Sequence, residues 1–196
     1  SNAGYEDVRA TIADSINRRF GTSFNQSNII MTVGAAGGMN VIFKTILNPG
    51  DEVLTFSPYF VEYNSYVSNY DGKLVAIDPD TETFQANIED LERKITPKTK
   101  ALIINNPNNP TGVVYSEETI KKVAAILDAK QKEYGTEIFI VSDEPYRELA
   151  YDGVEVPYIT KYYNNTIVGY SFSKSLSLPG ERIGYLVIPD EVHDAE

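Results

Sequence analysis

Residues 101–104 read Ala-Leu-Ile-Ile, and residues 137–141 read Glu-Ile-Phe-Ile-Val. A short, continuous apolar run is the pattern of a strand buried on both faces. Between the two, Ser116-Glu117-Glu118-Thr119 opens a helix to about residue 134, with Ser116 as its cap. Strand, helix and buried strand in succession call for a sheet with helices packed on it.

The same alternation runs along the rest of the chain. Val8, Ile12, Ile16 and Phe20 recur every four residues, one helical stripe over residues 5–20 that Gly21 stops. Residues 29–33 are β-rich. The glycine stretch Gly34-Ala35-Ala36-Gly37-Gly38 follows, then a helix over residues 39–47 closed by Asn48-Pro49-Gly50. Residues 52–56 and 73–77 read as strands around a helix at residues 60–70, which Asp71-Gly72 ends. Asn87 can cap a short helix at residues 88–95. Residues 151–160 are irregular, and β-rich runs at residues 166–169 and 183–188 flank Lys174. The fold class is therefore α/β: a three-layer α/β/α sandwich on a mostly parallel mixed sheet. In such sheets ligands sit at the carboxyl ends of the strands. There is no internal repeat, low-complexity segment or interdomain linker.

Composition removes several kinds of chemistry. With a net charge of −11, the 196-residue chain does not offer a nucleic-acid or anionic-membrane surface, though a local basic pocket for one phosphate remains open. The absence of cysteine excludes disulfides, thiolate nucleophiles and cysteine metal sites. The single histidine, His193, lies near the end, which excludes Ser-His-Asp catalysis and the HExxH metal motif; no metal is expected. No apolar run approaches the roughly 20 residues of a membrane span. Asn25-Gln26-Ser27 and Asn164-Asn165-Thr166 match glycosylation sequons, read here as chance matches in a cytoplasmic protein. Ser1-Asn2-Ala3 has the form of a scar left by a cleaved expression tag.

Four segments that each follow a strand carry polar chemistry. Gly34-Ala35-Ala36-Gly37-Gly38 lets backbone approach a ligand ahead of a helix N-terminus, where phosphate binds; taken alone, it reads first as a close-packing glycine turn. Residues 105–112 hold four asparagines after a strand, with two prolines and a glycine, more than a turn needs. Asp143 and Glu144 end a buried strand, so a carboxylate there can meet a cationic ring nitrogen or cap the next turn. A nucleotide-hydrolase reading fails for want of a P-loop. Ser171-Phe172-Ser173-Lys174 sets one lysine among hydroxyls, with Arg182 eight residues on. It also spells Ser-x-x-Lys, but the companion triplets of the penicillin-binding enzymes are missing. A lysine held there suits a cofactor aldehyde carried as an imine. Tyr59, Phe60, Tyr63 and Tyr66 form an aromatic cluster that reads first as core packing, with one ring free to cover a planar ligand.

Taken together and in order, Gly34-Ala35-Ala36, Ser57-Pro58-Tyr59-Phe60, Asn109-Pro110-Thr111-Gly112, Asp143-Glu144-Pro145-Tyr146 and Ser171-Phe172-Ser173-Lys174 with Arg182 resemble the fold-type I pyridoxal-phosphate enzymes, within them the class I/II aminotransferases. The resemblance implies the large domain of such an enzyme over residues 4–196. It implies pyridoxal 5′-phosphate as cofactor, bound as a Schiff base to Lys174, which also moves the substrate proton. Asp143 would pair with the pyridine nitrogen. Asn109 and Tyr146 would bond the phenolic oxygen. Arg182, Ser171 and Ser173 would hold the phosphate with backbone N–H groups of Ala35 and Ala36, and Phe60 would stack on the ring. Lys174, Asp143 and Tyr146 are the catalytic set. The implied activity is ping-pong transfer of an amino group from an amino acid to a 2-oxo acid in biosynthetic amino acid metabolism, by a cytoplasmic homodimer.

The family pattern is longer than this chain. Its N-terminal arm and its C-terminal small domain, with the arginine that grips the substrate carboxylate, are expected to fall outside residues 4–196. Cofactor binding with little turnover is the expectation that follows. Two other functions share this large domain: a pyridoxal-phosphate C–S lyase acting at the β-carbon, and the effector-sensing domain of a transcription regulator.

Overall fold

The structure, a computed structural model, describes residues 2–194. Its centre is a seven-stranded sheet in the order β1-β7-β6-β5-β4-β2-β3. The strands are β1 (Ile29–Val33), β2 (Glu52–Phe56), β3 (Lys73–Ile77), β4 (Thr99–Asn105), β5 (Phe139–Asp143), β6 (Thr166–Ser171) and β7 (Ile183–Val187). Strands β3, β2, β4, β5 and β6 pair in parallel, while β7 runs antiparallel to both β6 and β1. The mostly parallel mixed sheet expected from the alternation is what forms.

Helices α1 (Glu6–Phe20), α2 (Gly34–Ile46), α3 (Tyr63–Ser68), α4 (Ile88–Lys94), α5 (Glu117–Tyr134) and the single turn α6 (Phe172–Ser175) complete the elements. Strand β4 shows why its run is apolar throughout. Leu102 and Ile104 pack with Leu91, Ile120 and Leu127 of α4 and α5, while Ala101 and Ile103 pack with Met39, Phe43 and Val67 of α2 and α3. Alternate residues of a strand face opposite sides, so a doubly covered strand has no polar position to spare. A third cluster seats Ala13 and Ile16 of α1 on Val168, Tyr185 and Val187. The caps read from sequence are in place: Ser116 Oγ accepts from Thr119 N–H, Asn87 Oδ1 accepts from Asp90 N–H, and Gly21 ends α1 at φ 68°.

Three local expectations are corrected. Helix α2 begins at Gly34 rather than at residue 39, so the glycine stretch is its first turn. Glycine is a poor helix former, but a Cβ on Gly38 would stand 2.8 Å from Leu186 Cδ2 of β7, so close packing decides the residue there. The helix expected over residues 60–70 forms only at Tyr63–Ser68. Strand β6 continues to Ser171 rather than ending at residue 169, and a helical turn carries Lys174.

Candidate active site

The parallel strands deliver their carboxyl ends to one side of the sheet. Asn105 closes β4 beside Asp143, which closes β5, and Ser171 closes β6 opposite Gly184 of β7. Because β7 is antiparallel, its beginning lies at that same side, which brings Arg182 to Ser173. The first turn of α2 and the segment after β2 end there as well. The result is a pocket of about 340 Å³. Ala35, Ala36, Phe60, Asn109, Asp143, Tyr146, Ser171, Ser173, Lys174 and Arg182, every candidate named from sequence, line it. A neighbouring groove of about 380 Å³ is walled mainly by Val8, Ile12, Met31, Leu176, Leu178 and Ile183 and lacks any such convergence of reactive groups.

The polar contacts are specific. Tyr63 donates to Asp143 Oδ2 at 2.6 Å, and Asp143 Oδ1 is buried with no hydrogen-bond partner. Burial pushes the Asp143 carboxyl up to about 6 from an ordinary 3.8, with the tyrosine bond opposing that rise and Glu144 adding to it. Asn105 donates to the Asp143 carbonyl at 2.9 Å and accepts from the Asn109 N–H at 2.6 Å, so one amide ties two loops together. Asn109 Nδ2 reaches Tyr146 Oη at 3.2 Å. Burial, and next the nearby Asp143, raise the Tyr146 hydroxyl.

Lys174 is exposed, with Nζ 5.9 Å from the centre of the Tyr146 ring. Ser171 Oγ caps α6 by accepting from Ser173 N–H at 3.2 Å and donates to Ser173 Oγ at 2.9 Å. Arg182 stands in the left-handed region at φ 52°, uncommon for a long side chain. Its Nη1 donates to the Pro179 carbonyl at 3.0 Å and reaches Ser173 Oγ at 3.5 Å. The guanidinium lies across Gly34, where a Cβ would come within 2.5 Å of Nη2. Cation, hydroxyls and the N-terminal turn of a 13-residue helix thus share one corner.

The two carboxylates at the end of β5 part company. Asp143 shares a sheet face with Phe139 and Val141 and so meets α2 and α3. Glu144 instead accepts from Ser142 Oγ at 2.8 Å and from Arg147 Nε at 2.7 Å in a buried ion pair, and it is not part of the pocket. The sequence pattern gives Asn105 no individual role and Tyr63 a place in an aromatic cluster read first as core; Tyr66 of that cluster also lines the wall. Asn105 was visible as the first residue of the asparagine-rich segment. Tyr63 is 1% exposed, so its reading as core was sound and incomplete: its ring is core and its hydroxyl serves the site.

A family profile described as aminotransferase class I and II matches residues 1–195. The chain belongs to this family. Among class I and II relatives, the probable aspartate/prephenate aminotransferase of Aquifex aeolicus is 38% identical over 195 residues, covering 97% of this chain and 48% of that protein. The probable N-acetyl-LL-diaminopimelate aminotransferase of Bacillus subtilis is 35% identical, covering 97% and 47% respectively. A solved aminotransferase from Eubacterium rectale superposes with a TM-score of 0.97 at 52% identity, over 99% of this chain and 49% of that one. The Thermus thermophilus aspartate aminotransferase with maleate gives a TM-score of 0.88 at 35% identity, over 97% and 48%. The chain spans about half the length of the curated relatives it matches. Among the described residues, no helix is long and apolar enough to cross a membrane, and no group of His, Cys, Asp or Glu could hold a metal.

Proposed function

We propose that this chain binds pyridoxal 5′-phosphate and works in moving an amino group from an amino acid to a 2-oxo acid. The observation that carries the reading is Asp143 Oδ1, a buried carboxylate oxygen without a partner, in the same pocket as a lysine amine. A buried acceptor left open in a cavity calls for a donor, best a cationic one. The protonated ring nitrogen of the cofactor is such a donor. The other groups fit too: an anion for Arg182, Ser171, Ser173 and the α2 N-terminus, an oxygen for Asn109 and Tyr146, an aldehyde for Lys174, and a flat ring for Phe60.

Bound there, the cofactor supplies an aldehyde that condenses with amines and a cationic ring that draws electrons from the substrate's α-carbon. The protein does the rest. Asp143 would accept from the ring nitrogen and keep its proton on. Arg182 and the serines would anchor the phosphate. Tyr146 and Asn109 would hold the phenolic oxygen. Lys174 Nζ would hold the aldehyde and, when free, would take the substrate's α-proton as general base and return it. The first product leaves before the second substrate enters, so the kinetics are ping-pong. The complete enzyme is proposed to act as a homodimer.

The test is a single half-reaction. Loaded protein is given amino acids one at a time, without an acceptor. The expected result is the matching 2-oxo acid in an amount equal to the bound cofactor. Pyruvate, ammonia and a free thiol from a thioether amino acid, with no oxo acid that keeps a donor's own side chain, would instead establish β-elimination and sink the transfer reading.

A further inference from the structure

Tyr63 sits in the apolar layer between α2, α3 and the sheet, among Phe43, Val67 and Val141. A hydroxyl there needs a partner or carries a desolvation cost. It has one, Asp143 Oδ2 at 2.6 Å, the short distance typical of a donor facing a charged oxygen. The bond leaves only Oδ1 to meet anything in the pocket, and Asn105 fixes the backbone of the same residue through its carbonyl. The other ionisable groups around the carboxyl are Tyr66 of α3, Glu144 and Tyr146 beside it in sequence, and Lys174 and Arg182 on the pocket wall.

We propose that Tyr63 is a positioning residue: its hydroxyl holds Asp143 Oδ2, keeps the carboxyl ionised in a buried place, and so presents Oδ1 to the pocket as an open acceptor. The part of this that concerns a ring nitrogen rests on the cofactor reading above; the part that concerns the carboxyl does not. Tyr63 touches no reacting atom and acts through Asp143. Burial works against the ionised form, and the tyrosine bond works for it. Removing the hydroxyl removes the donor to the carboxyl oxygens and leaves the ring packing.

The experiment follows the Asp143 carboxyl by carbon NMR in the cofactor-free protein, with carboxyl-labelled aspartate and the signal assigned by its loss in Asp143→Asn. Three proteins are titrated: unsubstituted, Tyr63→Phe, and Tyr163→Phe. The last deletes an equally short buried tyrosine bond, to the Ile138 carbonyl at 2.6 Å, outside the pocket. The midpoint is expected near 6 in the unsubstituted protein and in Tyr163→Phe. In Tyr63→Phe it is expected about one to two units higher, the worth of one hydrogen bond to a charged group. A Tyr63→Phe midpoint equal to the unsubstituted one would overturn the proposal.

Pyridoxal phosphate is then titrated into the same proteins across pH. Tyr63→Phe is expected to bind about tenfold more weakly near neutrality, with the gap closing at higher pH where Asp143 is ionised in both. A gap that does not change with pH would make Tyr63 merely structural and overturn its role toward the ligand. If the unsubstituted protein takes up no pyridoxal phosphate while the midpoint still shifts, the cofactor reading falls and the Tyr63–Asp143 assignment stands.

Discussion

Asp143 works against the stability of the protein that holds it. Its folded carboxyl titrates at about 6 against an ordinary 3.8, so between those values the folded chain binds the proton more tightly than the unfolded chain does. Stability from this group is then fully present below the ordinary value and is lost as pH rises through about 6. The loss at pH 8 is at most about 3 kcal/mol, from about two units at about 1.4 kcal/mol each. Asp143→Asn should therefore make the cofactor-free protein more stable at pH 8 by about 1–3 kcal/mol in urea unfolding. The difference should vanish near pH 4. A gap that did not depend on pH would show that Asp143 is not titrating in this way. The ten pocket residues were legible because each sits in a short motif that follows a strand. Tyr63 and Asn105 were not, because their work lies in what they reach: Tyr63 crosses 80 residues to Asp143 and Asn105 crosses 38. The residue pattern alone left Asp143 and Glu144 alike, and only the family resemblance chose between them; the parity of β5 gives the physical reason.

Glycines set the limits at the scale of elements. Gly184 of β7 lies under the first turn of α2, where a Cβ would come 2.4 Å from the Tyr170 carbonyl oxygen and 3.0 Å from the Gly34 carbonyl carbon. Both neighbours are backbone and cannot step aside. Gly184→Ala is expected to lower stability by about 1–3 kcal/mol. It should also weaken pyridoxal phosphate binding, since it pushes α2 away from Arg182. Ser116→Ala separates the two effects. It should cost about 1 kcal/mol by removing the α5 cap and leave ligand affinity unchanged, because Ser116 is not part of the pocket. Equal affinity losses in both variants, measured by ligand titration, would mean the first effect is only global instability. Strand positions were legible because buried runs and their stops are written locally. The start of α2 was not: a glycine stretch has the local signature of a turn, and the reason for glycine at Gly38, its packing on Leu186, is a contact 148 residues away in sequence.

Across the whole molecule, the parallel strands and the reversed β7 bring Ser171, Lys174 and Arg182 to the side where β4 and β5 also end. That a sheet would do this was legible from the alternation of strands and helices; the strand order was not, because adjacency in a sheet leaves no local mark. A site assembled from so many elements couples ligand binding to folding. Pyridoxal phosphate at about a hundred times its dissociation constant should add about 2.7 kcal/mol to stability, read as a rise in thermal midpoint. Arg182→Ala should lose most of the rise at the same ligand concentration, and an undiminished rise would remove Arg182 from the phosphate site. The most direct measurement concerns Lys174 itself. Protein loaded with pyridoxal phosphate is reduced with borohydride, digested and mapped by mass spectrometry, beside Lys174→Ala treated identically. The account predicts a pyridoxyl group on the peptide carrying Lys174 and no specific label in the variant. A label on another lysine, or uptake unchanged in Lys174→Ala, would contradict it.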